Sequence, residues 1–334
     1  MVDYDAGYAG KTVAVTGAGG YIASVLVEAL QETPARILRV SRRELEPIVG
    51  IETLKADVCD GDCWKGIVAK ADVIFHLAGN ASLYSAANDP AGSVRSTLIP
   101  ITHIAAAAKE SGRRPRVVFA STATVYGLTS TLPVAEDAQA EPITNYDLHK
   151  LYAEKQLAMA SRQGILDGVS LRLANVYGPS ISTSMAEDRG ILNRIVRMAV
   201  EGTDLRLYGD GNYLRDYVYV GDVASAFMVA GAHVGTMSRA FNVATGTGIS
   251  VRDAFQLAVD RAWASTGRRV RIESVPWPED ADPIEFRNFV ADISAFERVA
   301  GWHPTISLRN GIDLMVEYRC RNTNSTPRKS WDSK

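Results

Sequence analysis

Residues 11–16 (KTVAVT) form a short apolar run, residues 17–20 (GAGG) interrupt it, and residues 21–32 (YIASVLVEALQE) follow with helical periodicity. A strand, a glycine turn and a helix start in that order commit a chain to a parallel sheet with helices packed on it. The spacing is Gly17, Gly20 and then Ala23, with Gly19 between the first two. Glycines let a backbone approach a pyrophosphate closely, and an alanine at the third position is still small enough for a helix to pack on its strand. The N–H groups that open the helix, around Tyr21 and Ile22, carry partial positive charge and suit an anion. The expected fold is therefore α/β, a Rossmann-type doubly wound parallel sheet that holds a dinucleotide on this turn.

The next segments extend that sheet. Residues 36–40 (RILRV) end at Ser41-Arg42-Arg43, where an NAD site usually carries an acidic residue for the ribose hydroxyls. A serine and two arginines suit a 2′-phosphate instead and favour NADP over NAD, although arginines can also face solvent or stack on adenine. Asp57 and Val58 follow the next short run, Asp57 either meeting the adenine amine or capping its own loop. Residues 71–79 (ADVIFHLAG) read as a buried parallel strand that passes Leu77, Ala78 and Gly79 over the cofactor. His76 is read as a packed structural histidine. Residues 94–112 are expected as one helix rich in small residues. Residues 116–120 (RVVFA) form another core strand, carrying Ala120, Ser121 and Thr122 to the carboxyl edge of the sheet, where ligands of such folds lie. A hydroxyl at Thr122 can donate to a substrate oxygen.

Residues 144–164 (TNYDLHKLYAEKQLAMASRQG) form a helix capped by Thr144 or Asn145 and ended at Gly164. Tyr146 and Lys150, four apart, leave one face of it. An ammonium beside a phenol is expected to lower the tyrosine pKa from its usual ~10, giving a proton donor and acceptor near neutral pH.

Composition narrows the function classes. The chain has 334 residues, and 36 Lys plus Arg against 38 Asp plus Glu leave a net charge of −2. That balance provides no field for nucleic acid or an anionic membrane. No secretory leader and no membrane-spanning run is visible, so a cytoplasmic location is expected. Cys59, Cys63 and Cys320 lack the partners of a zinc site and read as reduced thiols, and no metal is expected.

Taken together, TGAGGYIA (16–23), HLAG (76–79), STATVYG (121–127), YDLHK (146–150), RLANVYGP (172–179), YGDGNYLRDYVYVGDV (208–223) and GWHP (301–304) resemble the extended short-chain dehydrogenase/reductases, in the branch of nucleotide-sugar epimerases, dehydratases and ketoreductases. The resemblance runs over nearly the whole chain. It implies that Tyr146 is the acid/base, that Lys150 holds the nicotinamide ribose, and that Thr122 fills the family's Ser/Thr position. It also implies that Asn175 and Arg215 contact the diphosphate and that Asp222 is structural. Asn80 and Ser82, Thr124 and Tyr208 are further substrate-side candidates, and residues 180–190 are expected to contribute to sugar specificity. Family dehydratases carry acidic residues directly after the Thr, and decarboxylating members keep one there. Ala123 and Thr124 stand in those places here, which disfavours both reactions.

The leading expectation is a C4 epimerase of a nucleoside diphosphate hexose working through a 4-keto intermediate. The alternative is an NADPH-dependent 4-ketoreductase, and a non-catalytic nucleotide-binding protein is a third reading. The cofactor domain is expected over residues 8–177 with a return at 216–247. A smaller nucleotide-sugar lobe is expected over 178–215 and 248–318, and a disordered tail from 319. A homodimer is expected through the 94–111 and 146–163 helices. Ser96-Thr97 replace an asparagine the family often places on the early helix.

Overall fold

The computed structural model describes residues 4–180, 184 and 190–323. Its centre is a sheet of seven strands, ordered Arg239–Val243, Asp167–Leu173, Arg116–Thr122, Val73–His76, Thr12–Thr16, Arg36–Ser41 and Glu52–Lys55. Every neighbouring pair is parallel. The chain builds outward from Thr12–Thr16 to Glu52–Lys55, then returns to place Val73–His76 on the other side of the first strand. That reversal opens a crevice beyond the carboxyl ends of these two central strands, the place where such sheets hold ligands.

Alternation along the strands decides what covers each face. Val13, Val15, Val73, Phe75 and Val118 point into one core with Leu26, Leu30 and Phe227 of helices Tyr21–Gln31 and Val220–Ala232. Ala14, Ile74, Val117 and Phe119 point into the other core with Trp64, Ile67, Ile104 and Leu157 of helices Gly61–Lys70, Ile99–Ser111 and Asn145–Arg162. The strands are therefore apolar on both faces, as a sheet covered by helices on two sides requires.

The single helix expected over 94–112 is two helices, Pro90–Thr97 and Ile99–Ser111, meeting at Leu98. Pro100 lies in the first turn of the second, where its missing N–H does no harm, but the first helix cannot run through it.

Away from the main sheet, Gly248–Ser250 pairs antiparallel with Leu214–Tyr219, which pairs parallel with Asn175–Tyr177. Strand Ile272–Val275 pairs with Leu205–Tyr208. Helices Ile191–Glu201, Val251–Thr266 and Leu308–Thr323 bury Leu192, Val196, Phe255, Ile312 and Met315 together. The last helix corrects the expectation of a tail without structure from 319. Cys320 still packs against this cluster, so the helix continues to Thr323, and residues 324–334 lie outside the described residues. Asp222, expected to be structural, accepts hydrogen bonds from Thr305 N, Thr305 Oγ1 and Ile306 N, and so ties helix Val220–Ala232 to the segment after Trp302.

Candidate active site

The glycine turn is a contact between backbones. Gly17 has φ +69°, and a Cβ there would lie 2.9 Å from Ala78 N, so the ends of strands Thr12–Thr16 and Val73–His76 touch with no room for a side chain. Thr16 Oγ1 accepts from Ala78 N at 3.2 Å and bonds His76 Nδ1 at 2.8 Å, which pins the two ends together. His76 is fully buried, and its pKa is pushed down to about 3 by burial and by the nearby Lys150 charge. It serves the packing here. Gly20 opens helix Tyr21–Gln31, and no side chain caps that helix. Its first-turn donors therefore remain for a ligand.

These features line a cleft of about 1280 Å³. Every residue singled out above for the cofactor lines it: the turn residues Gly17, Gly19, Gly20, Tyr21 and Ile22, the strand ends Ser41, Arg42, Arg43, Asp57 and Val58, the crossing segment Leu77, Ala78 and Gly79, and Ala120, Ser121, Tyr146 and Lys150. Asn80, Ser82 and Thr122 line it too. Tyr21 presents its backbone, because its hydroxyl donates to Gly178 O at 2.8 Å. Ser121 turns its hydroxyl to Glu154, which is itself paired with Arg172 at 2.8 Å in the protein interior. Asp57 accepts from Cys59 N at 2.9 Å, and this bond holds its carboxyl below the ordinary range, with smaller contributions from Arg42 and Arg95. Arg95 was not anticipated. It comes from helix Pro90–Thr97, distant in sequence from the strand that carries Arg42 and Arg43.

An extended cleft with a bare helix N-terminus at one wall and guanidinium groups at one end fits NAD(P), whose pyrophosphate the glycine turn would hold. Among the described residues no cluster of His, Cys, Asp and Glu could hold a metal ion.

Thr144 caps helix Asn145–Arg162, which presents Tyr146 and Lys150 at the cleft. Lys150 Nζ donates to Ala120 O at 2.7 Å and lies 5.8 Å from the centre of the Tyr146 ring. Burial lowers its pKa to about 8, opposed by Glu154. The expectation that Lys150 lowers the tyrosine pKa fails in this structure. Tyr146 is pushed up to about 12, first by burial and then by the adjacent Asp147 carboxylate, with only a hydrogen bond to Thr122 acting the other way. The ammonium is committed to Ala120 O and does not outweigh those effects.

A second cavity of about 210 Å³ adjoins the first at Thr122 and is lined by Thr124, Asn175, Tyr217, Arg287 and Phe289. Asn175 and Tyr217 are directly paired on neighbouring strands. Asn175 Oδ1, the Tyr217 hydroxyl and Arg287 Nε are buried without hydrogen-bond partners. Buried polar atoms are nearly always paired, so three lining one small cavity mark a place where a polar ligand completes the set. Arg287 is depressed to about 10, mainly by burial and then by the neighbouring Arg215 charge.

Two of the substrate-side candidates lie outside both cavity walls. Arg215 is not in either cavity wall. Its guanidinium donates to Leu214 O, Arg287 O and Glu285 O, so it braces the loop that carries Arg287. Nor does it pair with Asp216, which accepts from Thr245 and from Gly246 N and Ala291 N. Tyr208 is likewise outside both cavities. It ends a strand whose side chains alternate in and out, and its ring stacks on Trp277 at 5.2 Å. The cation that lines the cavity is Arg287, which sequence reasoning missed because it sits in an irregular loop 70 or more residues from Thr124, Asn175 and Tyr217, without a local pattern. Residues 181–183 and 185–189 of the expected specificity loop lie outside the described residues.

Comparison with known proteins agrees with this geometry. The sequence profile of the NAD dependent epimerase/dehydratase family matches residues 13–244. A UDP-glucose 4-epimerase of Mycolicibacterium smegmatis is 32% identical over 317 residues, covering 91% of this chain and 97% of that one. Among solved structures, a UDP-glucose 4-epimerase of Thermotoga maritima with UDP-glucose superposes with a TM-score of 0.82 at 26% identity, covering 93% of this chain and 99% of that one. MoeE5 in complex with UDP-glucuronic acid and NAD superposes at 0.80 with 28% identity and the same coverage. A seven-stranded parallel sheet, a glycine turn built to touch backbone, a Tyr–Lys helix at its mouth and these similarities lead to one placement: the chain belongs to the NAD dependent epimerase/dehydratase family, within the extended short-chain dehydrogenase/reductases.

Proposed function

We propose that this protein inverts C4 of a nucleoside diphosphate hexose, with NAD(P) held in the larger cleft and the sugar nucleotide reaching into the smaller cavity. The observation that carries the reading is the convergence of Asn175 Oδ1, the Tyr217 hydroxyl and Arg287 Nε, all buried and unpartnered, beside Thr122. A diphosphate supplies acceptors for a guanidinium and a phenol, and a sugar hydroxyl or base supplies a donor for the amide oxygen. The sugar-nucleotide relatives make a UDP-sugar the first candidate.

Bound NAD(P) supplies the two-electron acceptor, and later donor, for the hydrogen on C4. The protein's own groups handle the rest. Lys150, on the cleft wall with its Nζ anchored at Ala120 O, holds the cofactor's ribose hydroxyls. Tyr146 exchanges the proton of the C4 hydroxyl, and Thr122, hydrogen-bonded to its phenol, supports that exchange. Residues 8–177 with 216–247 serve the cofactor, and 178–215 with 248–318 serve the sugar nucleotide. Two copies associate through the helices on the Tyr146 side of the sheet, where Tyr152 and Met159 are exposed. Gel filtration at twice the chain's mass supports that pairing, and a monomer contradicts it.

A second reading, an NADPH-dependent 4-ketoreductase of a 4-keto-6-deoxy sugar nucleotide, draws on Ser41, Arg42 and Arg43 at the adenosine end, joined by Arg95. These groups favour NADP. Denaturing the purified protein and identifying the nucleotide it releases separates the two. Near one NAD or NADP per chain supports a closed redox cycle. A protein that is empty, and binds NADPH reversibly, supports the reductase.

A further inference from the structure

Asp147 has no part in the scheme above, yet it lies directly behind the reacting groups. It is 1% exposed, and its carboxylate accepts from Thr124 Oγ1 and, at 2.7 Å, from Thr144 Oγ1. Thr124 Oγ1 in turn lies 2.9 Å from Thr122 Oγ1, and Thr122 is bonded to the Tyr146 phenol. Four groups therefore form one continuous chain from the cleft into the protein: Tyr146, Thr122, Thr124, Asp147.

The carboxylate fixes the direction of that chain. An ionised carboxylate only accepts hydrogen bonds, so Thr124 must give its proton to Asp147. While the phenol is protonated, the Thr124 oxygen is then the acceptor for Thr122 and the Thr122 oxygen is the acceptor for Tyr146; only an ionised Tyr146 would draw the Thr122 proton toward itself, the sense in which that bond lowers the phenol's pKa. The phenol's own proton consequently points inward, and its free lone pairs face the cleft. Such a phenol can receive a proton from a sugar hydroxyl while passing its own along the chain, so no phenolate has to form first.

We propose that Asp147 is the terminal proton store for the reaction at C4, reached through Thr124, Thr122 and Tyr146. The inference rests on the C4 redox reading above. When the C4 carbon–hydrogen bond breaks and its electron pair leaves with the hydrogen for the cofactor, the C4 hydroxyl proton moves to Tyr146. One proton moves from Tyr146 to Thr122, one from Thr122 to Thr124, and one from Thr124 to Asp147, which becomes a neutral carboxylic acid. Return of the hydrogen to C4 reverses every transfer, so neither protons nor electrons accumulate. Asp147 touches neither sugar nor cofactor and is a positioning residue. It places a carboxylate within reach of a site where the residues directly after Thr122, Ala123 and Thr124, offer none.

The charged surroundings are compatible with that role. Burial raises the Asp147 carboxyl above the ordinary range, opposed by the Thr124 and Thr144 bonds and by Arg287 from the facing loop. Arg287 itself feels Arg215, Glu285 and Tyr217 around it. On its own helix, the titratable group next to Asp147 is Tyr146.

The test is the pH profile of the C4 step, read as reduction of the bound nicotinamide on mixing with UDP-glucose, in the wild type and in Asp147→Asn and Thr124→Val. In the wild type the rate falls on the acid side, because a protonated Asp147 cannot accept. Asp147→Asn loses about a hundredfold or more, the ordinary scale of a general base. Its acid limb disappears, and its rate climbs with pH as Tyr146 ionises. Thr124→Val, which keeps the carboxylate and the side chain's shape, reproduces that profile and decides the matter if Asp147→Asn does not fold. A uniform loss at every pH, or a Thr124→Val profile with the wild-type acid limb, overturns the relay and leaves the functional reading standing. Absence of nicotinamide reduction in the wild type with any sugar nucleotide overturns both.

Discussion

The larger cleft is walled at its base by backbone, whereas the smaller cavity is walled by side chains sent in from separate parts of the chain. At Gly17 the main chain of one strand end lies against that of another, and the helix above it is left without a side-chain cap. In the cavity, Asn175, Tyr217 and Arg287 meet from two strands and a loop. A backbone site tolerates change at most positions but not at its glycines. A side-chain site depends on each group and on whatever braces it, as Arg215 braces the loop of Arg287.

Substitutions at the junction and in each half should separate these dependences. Tyr146→Phe stands at the junction and has the largest expected effect, a loss of turnover of about 10²–10⁴-fold with cofactor still bound. Normal turnover in that variant would remove the tyrosine from the chemistry. Arg287→Met is expected to raise the KM for the sugar nucleotide by about 10–100-fold, the scale of lost charge-assisted hydrogen bonds, while cofactor content stays the same. Arg215→Met should instead lower the melting temperature along with affinity, and equal behaviour of the two variants would dissolve the distinction between lining and bracing. Gly17→Ala acts on the backbone half. Its φ of +69° and the 2.9 Å approach to Ala78 N predict a destabilisation of about 1–3 kcal/mol together with loss of cofactor, read by thermal melts and by nucleotide content.

The last prediction concerns pH. His76 has a folded pKa lowered to about 3 from 6.5, so between those values the unfolded chain binds the extra proton. The stability this group contributes is complete above pH 6.5 and is lost as pH falls toward 3. His76→Gln should flatten that part of the stability curve in denaturant titrations. An unchanged slope would show that other groups dominate it.

The same contrast explains what could be read from the sequence. The glycine turn, the strands and the Tyr146 helix were legible because each places a strong demand on neighbouring residues: φ above zero, apolar alternation, a cap. The break at Leu98 was legible in principle from Pro100, but the surrounding alanines gave an unbroken helical pattern. Arg287 carried no local signature, since its role comes from a loop folding over a strand 70 residues earlier. Asp147 was hidden differently. Three residues after Thr144 it completes a helix-capping pattern, and it does accept from that cap, so its second bond to Thr124 shows only in three dimensions. Arg215 and Tyr208 were assigned by resemblance; Arg215 leaves its strand on the same face as Tyr217 but its guanidinium is committed to the carbonyls of Leu214, Glu285 and Arg287, and the Tyr208 ring stacks on Trp277.

The most direct test of the central claim is proton NMR of UDP-glucose incubated with the purified protein and no added nicotinamide cofactor. The account predicts appearance of the C4 epimer up to an equilibrium mixture, with the bound cofactor returning to its starting redox state. Conversion that occurs only when a reduced cofactor is added, one equivalent consumed per product, would contradict it.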